Sequence, residues 1–159
     1  ADAAIVAWDM KYEYDLWRPI TAIQLADTDG NDGTEADLTW LPLLPTPPFP
    51  EYVSGHSTFS RAAATILQLV TGTDSHSFTV TDEALGITRS FTSLDDAANE
   101  AGLSRIYGGI HYDFSNIEGQ LAGQMLGEYI YANYFLEVPA PGAASLGLLG
   151  LLAAARRRR

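Results

Sequence analysis

Apolar positions recur at Ile5, Trp8, Tyr12, Leu16 and Ile20, three or four residues apart, which is the period of one helical face and predicts a helix within residues 3–25. Pro19 limits it, so the helix ends near Trp17, or kinks there and resumes through Ile23. Residues 26–50 lose the period. They are acidic from Asp27 to Gly33 and then carry Pro42, Pro45, Pro47, Pro48 and Pro50, the composition of a long connection of the kind that often serves function. Ser57–Val70 is an alanine-rich helical stretch directly after Ser54-Gly55-His56. Residues 71–92 alternate at Phe78 and Val80 and again at Ile87 and Phe91, which predicts a small hairpin. A helix restarts over Ser93–Ile106, with Asp96 three residues after Ser93 in a capping-box-like pair. In the last helix, Ile117–Leu136, Gly119, Gly123 and Gly127 recur every fourth residue. That leaves a smooth groove for close helix packing and predicts a buried helix.

The body therefore ends near residue 136, and residues 137–159 form a separate tail. Val138-Pro139-Ala140-Pro141-Gly142 precedes an apolar run from Ala143 to Ala155 and then four arginines. At 1.5 Å per residue the run spans roughly 20 Å, short of a ~30 Å hydrocarbon core. The layout resembles the PEP-CTERM sorting signal of bacteria, with Ala140 where that signal usually has glutamate. The resemblance implies export to the cell envelope or beyond, transient membrane contact through the tail, and processing by an exosortase-type sorting enzyme. Read without it, the tail is a simple membrane anchor with its arginines on the cytoplasmic side.

Composition narrows the function. At 159 residues and 47% hydrophobic the chain suits one globular unit with a real core. Its net charge is −11, and four of its nine cations are Arg156–Arg159. Nucleic acid and anionic lipid are poor partners for such an acidic body. Having no cysteine excludes disulfides, thiolate metal sites and a cysteine nucleophile, and is compatible with export.

Only five cations remain in the body, Lys11, Arg18, Arg61, Arg89 and Arg105, and three of them fall in ordered blocks: Lys11-x6-Arg18-Pro19, Ser54-Gly55-His56 and Ser104-Arg105-x5-His111. Arginine forks and a compact lysine charge suit an oxyanion. Lys11 and Arg18 are two helical turns apart and can project on one side of one helix. Ser54 and Gly55 precede a helix start, where free N–H groups favour an anion and glycine admits it closely. His56 is placed to exchange protons there. Arg105 and His111 flank Gly108-Gly109, a bend that lets both face one centre, and an imidazole can attack phosphorus or ligate a metal oxyanion. His76 reads as a hydrogen-bonded structural residue, and Arg61 and Arg89 as surface charges.

These blocks resemble the type 2 phosphatidic acid phosphatase and vanadium-dependent haloperoxidase superfamily, whose signature is Lys-x6-Arg-Pro, Pro-Ser-Gly-His and Ser-Arg-x5-His-x3-Asp. Val53 replaces the proline before Ser54, and Ser115 replaces the final aspartate that orients the histidine in the phosphatases; Asp113 is nearby. Trp8 before Lys11, the run Pro47-Pro48-Phe49-Pro50-Glu51-Tyr52 and the segment Arg105–His111 are closer to the haloperoxidase branch. The resemblance, over about residues 5–136, implies an all-α helical bundle that is the C-terminal, anion-binding half of a longer protein. It implies vanadate attached through His111 and held by Lys11, Arg18, Ser54, Gly55 and Arg105, in a site that phosphate can also occupy. His56 is then the general acid and base, Lys11 polarises peroxide, and Trp8 and Phe49 line the halide side. Bromide-selective relatives often carry histidine at the position of Phe49, so this residue points to a chloroperoxidase-like pocket. The implied reaction oxidises halide with hydrogen peroxide to hypohalous acid, for delivery to a small organic acceptor. Two alternatives stand beside it: an acid phosphatase with a phosphohistidine at His111, and a catalytically silent envelope protein.

Overall fold

A computed structural model describes residues 1–135 of the chain, and the tail read over 137–159 lies outside them. The elements are α1 (Asp2–Tyr14), α2 (Pro19–Gln24), a 3-10 turn (Ala26–Thr28), α3 (Gly55–Thr71), β1 (Ser75–Asp82), β2 (Ile87–Ser93), α4 (Leu94–Tyr107) and α5 (Asp113–Tyr134). The fold is a helical bundle that carries a two-stranded sheet, so it is not strictly all-α.

The first helix is not one rod with a kink. Asp15 takes a left-handed conformation (φ 44°) and closes its N–H on Lys11 O, which ends α1 at Tyr14. Arg18, held extended before Pro19, is the N-cap of α2, with the proline at the position where its missing N–H costs nothing. Lys11 and Arg18 therefore sit on two elements, and their seven-residue spacing does not run along one helix. Nor does the apolar stripe of α1 make its buried face. Ile5 and Tyr12 are 68% and 64% exposed, whereas Ala7 and Lys11 are fully covered.

The centre of the bundle is the pair α3 and α5. At Gly119 an added Cβ would lie 2.8 Å from Ser54 O, and at Gly123 it would fall on Thr58 O and 3.0 Å from Ala62 N. The glycine stripe thus brings α5 onto the backbone of α3. Burial is confined to that face, because Ile117, Leu121, Met125 and Tyr129 on the other side are all at least half exposed. The prediction of a buried helix therefore holds for its glycine face and is corrected for the opposite side, which is exposed. α3 starts two residues before the predicted Ser57, with Ser54 as N-cap accepting from Ser57 N–H at 3.4 Å.

The hairpin forms as the alternation predicts, with Phe78 opposite Phe91 and their rings 5.4 Å apart. Phe78 rests on Ala64, Leu94 and Ala98, a small core that joins the sheet to α3 and α4. Ser93 caps α4 by accepting from Asp96 N–H at 3.0 Å. Arg61 departs from its surface reading. Only 12% exposed, it reaches Asp95 and Asn99 of α4 and Gln120 of α5, and so ties three helices together. Arg89 does remain a surface charge, paired with Glu100, and His76 makes one exposed hydrogen bond with Thr71.

Candidate functional site

The proline-rich connection crosses the end of the bundle where α3 and α5 begin. Glu51 N–H donates to Leu16 O at 2.9 Å and Ser54 N–H to Ser115 O at 3.1 Å, so the segment 49–54 is fixed between the α1–α2 link and the start of α5. Opposite it, Gly109 adopts φ 69°, and an added Cβ would meet Pro42 and Trp40 at 3.2–3.3 Å. This left-handed turn brings Arg105, at the end of α4, and His111 to the same place.

A cavity of about 330 Å³ opens there. Its apolar side is formed by Trp8, Pro47, Phe49 and Phe59, and its polar side by Gly55, His56, Ser60, Arg105 and His111. Trp8 packs on Phe49 with ring centroids 5.1 Å apart and on Phe59 at 6.3 Å, which gives the wall rigidity. Gly55 and His56 occupy the first turn of α3, where N–H groups have no intrahelical acceptor and the helix dipole favours an anion. Arg105 Nε is buried without a hydrogen-bond partner among the described residues. Such a donor, beside a helix N-terminus and an imidazole, is what a small oxyanion satisfies.

Lys11, Arg18 and Ser54 lie outside this lining. Lys11 is wholly buried, and its ammonium donates to Pro50 O at 3.2 Å, Glu51 O at 2.9 Å and Val53 O at 2.5 Å. Arg18 donates from Nε to Phe49 O (3.0 Å), from Nη1 to Ile110 O (2.7 Å) and from Nη2 to Pro50 O (3.3 Å). The Phe49 ring lies 5.3 Å from Lys11 Nζ and 5.1 Å from Arg18 Cζ while also lining the cavity. The two cations thus sit behind the aromatic wall and brace the 49–53 segment. Burial pulls the Lys11 ammonium down to about 8, with the nearby Arg18 charge acting the same way and Glu51 opposing. Ser54 is the helix cap, its hydroxyl accepting from Ser57 Oγ at 2.8 Å.

His111 is held on both sides. Its Nδ1 is 2.6 Å from Glu51 Oε1, and its Nε2 is 3.1 Å from Arg18 Nη1. Glu51 is fully buried and also accepts from Tyr112 N–H at 3.0 Å. Nothing in the sequence patterns singled it out. The signal was an acid inside an otherwise apolar, proline-rich run next to Ser54. Asp113, the nearest acid to the missing aspartate in sequence, is exposed at the start of α5.

Burial draws both site histidines below the ordinary imidazole value, with Arg105 adding to the effect at His56, and Arg18 and Lys11 adding to it at His111 against the Glu51 hydrogen bond. His56 in the ligand-free protein is therefore expected to titrate below 6.5 in a histidine NMR series. The sign follows from linkage. The folded pKa is depressed, so the stability that His56 contributes is present above 6.5 and is lost as pH falls through the folded value. A midpoint above 6.5 would contradict this.

Comparison with known proteins identifies relatives of the chain. The family model described as the VCPO second helical-bundle domain matches residues 1–136. The chain is 37% identical over 71 residues to vanadium chloroperoxidase of Curvularia inaequalis, which covers 38% of this chain and 11% of that protein. The crystal structure of the first bacterial vanadium-dependent iodoperoxidase superposes with a TM-score of 0.72 at 43% identity, covering 82% of this chain and 30% of the other. A holo-type bacterial vanadium-dependent chloroperoxidase shares the fold, with a TM-score of 0.68 at 20% identity, over 82% of this chain and 33% of the other. The chain thus spans a third or less of the length of these relatives.

Proposed function

We propose, for a chain that belongs to the family of the second helical-bundle domain of vanadium chloroperoxidase (VCPO), that its cavity is the vanadate site of a haloperoxidase that oxidises halide with hydrogen peroxide. The observation that carries the reading is the meeting of Arg105, His111 and the first turn of α3 in one cavity, with Arg105 Nε buried and unpartnered among the described residues.

The residues suit the group. Arg105 offers a guanidinium, Gly55 and His56 offer helix N-terminal N–H groups, and His111 offers a ring nitrogen, a donor set matched to a small oxyanion and one coordinate bond. Ser54 places this turn through its cap, Lys11 adds positive potential from behind Phe49, and Arg18 does so from beside His111 Nε2. Bound vanadate would supply Lewis-acid activation of peroxide without changing oxidation state. His56, neutral near pH 7 and at the cavity, accepts and returns the peroxide proton. Trp8, Phe49 and Phe59 keep the halide side apolar, where a weakly hydrated anion meets little competition from water. The iodoperoxidase at 43% identity supports iodide, and the chloroperoxidase-like residue Phe49 supports chloride, so both belong in the test. Export belongs to the same proposal, supported by the tail alone.

Full-length protein loaded with orthovanadate and given peroxide with iodide, bromide or chloride is expected to halogenate monochlorodimedone. Phosphate is expected to suppress the reaction by competing for the site. If vanadate instead only inhibits a phosphatase activity, the protein is a phosphohistidine phosphatase; if neither anion binds, it is catalytically silent.

A further inference from the structure

We propose that Glu51 is the positioning carboxylate of His111, locking the imidazole in the tautomer that leaves a lone pair on Nε2; this rests on the vanadate-site reading above for its consequence, though not for its geometry. The partners on the two sides of the ring decide the tautomer. A carboxylate only accepts, so Nδ1, 2.6 Å from Glu51 Oε1, must carry the hydrogen. A guanidinium only donates, so Nε2, 3.1 Å from Arg18 Nη1, must present its lone pair. That is the nitrogen state a ligand needs.

Glu51 is built to do this and little else. Its side chain has no solvent exposure, and Oε2 has no hydrogen-bond partner among the described residues. A buried acid in that condition is costly, and an apolar side chain of similar size would fill the same space without the penalty. Its backbone is fixed at both ends, by N–H to Leu16 O and by C=O from Lys11 Nζ, so the carboxyl has little freedom to leave the ring. Meanwhile the place where the signature has its aspartate offers no substitute. Among the described residues, Ser115 is fully buried with Oγ unpartnered, and the exposed Asp113 makes no hydrogen bond to His111. The orienting acid thus comes from the loop before Ser54 and not from α5. Carboxylate partners of metal-binding histidines fix tautomer and ring orientation, and their loss weakens metal binding by roughly 10–100-fold.

The test uses full-length protein, wild type and with Glu51→Gln and Glu51→Ala. Histidine ¹⁵N shifts in the vanadate-free state are expected to show His111 with hydrogen on Nδ1 in wild type and in Glu51→Gln, whose amide oxygen still accepts. In Glu51→Ala only Arg18 still favours hydrogen on Nδ1, so the other tautomer is expected to appear as a minority. Orthovanadate binding, followed by equilibrium dialysis, is expected to weaken by about 10-fold in Glu51→Gln and toward 100-fold in Glu51→Ala. A residue that merely filled space would change the melting temperature and leave both readouts alone. Unchanged tautomer and vanadate affinity within twofold of wild type in Glu51→Ala would overturn the proposal. Should that variant not fold, unchanged affinity in the isosteric Glu51→Gln would do so. If wild type fails to bind vanadate while Glu51→Ala still releases the tautomer, the haloperoxidase reading falls and the positioning role stands.

Discussion

His111→Ala is expected to lower vanadate-dependent halide oxidation by more than 100-fold, the upper end of what losing an outer partner of a ligand does, because on the proposed assignment the ligand itself is lost. His111 is 7% exposed, lines the cavity and is the imidazole whose two nitrogens are both held. The substitution also leaves the buried Glu51 carboxylate with only the Tyr112 N–H, so some stability goes with it. Orthovanadate binding and a thermal melt measured together separate the two effects. A folded variant that keeps more than a tenth of the activity would show that His111 is not the attachment point. Arg105→Lys is a useful companion, since an ammonium cannot reproduce the planar fork and is expected to rescue little of what Arg105→Ala loses.

Gly123→Ala carries the largest expected effect on stability, about 3 kcal/mol or more. The new Cβ would fall on Thr58 O, with Ala62 N 3.0 Å away, and both neighbours are backbone atoms of α3 that no rotamer change can move. The helices must separate instead. Because α3 also presents Gly55 and His56 to the cavity, vanadate affinity is expected to fall along with the melting temperature. Gln124→Ala, one residue along on the exposed side of α5, is expected to stay within about 0.5 kcal/mol. A Gly123→Ala melting temperature equal to that of Gln124→Ala would refute the close α3–α5 contact.

Much of the architecture was legible in one dimension. The hairpin alternation, the Ser93–Asp96 cap and the close contact of the glycine stripe are local patterns that appear in the structure as predicted, and the helical period located the helices though not the buried face of α1. The pairing of Arg105 and His111 across Gly108-Gly109 was legible too, because a left-handed glycine turn acts over a few residues. Where the reading departed, the cause was non-local. The spacing of Lys11 and Arg18 suggested one helix face, but Asp15 turns left-handed and separates them. Arg61 looked like a surface charge until α4 and α5 packed around it.

The sequence by itself determined the set of chemical groups available to this protein: a scarce group of cations, two histidines beside glycines, and a Ser-Gly step at a helix start. Only the tertiary structure decided which of them meet the cavity and which stand behind it. Lys11 is held back because the 50–53 carbonyls take its donors, and Arg18 because it is spent on Phe49 O, Pro50 O, Ile110 O and His111 Nε2, with the Phe49 ring beside both. Glu51 reaches His111 across 60 residues of chain for the same reason, since the proline-rich connection is pinned against α1 and α5 by bonds that no local pattern encodes.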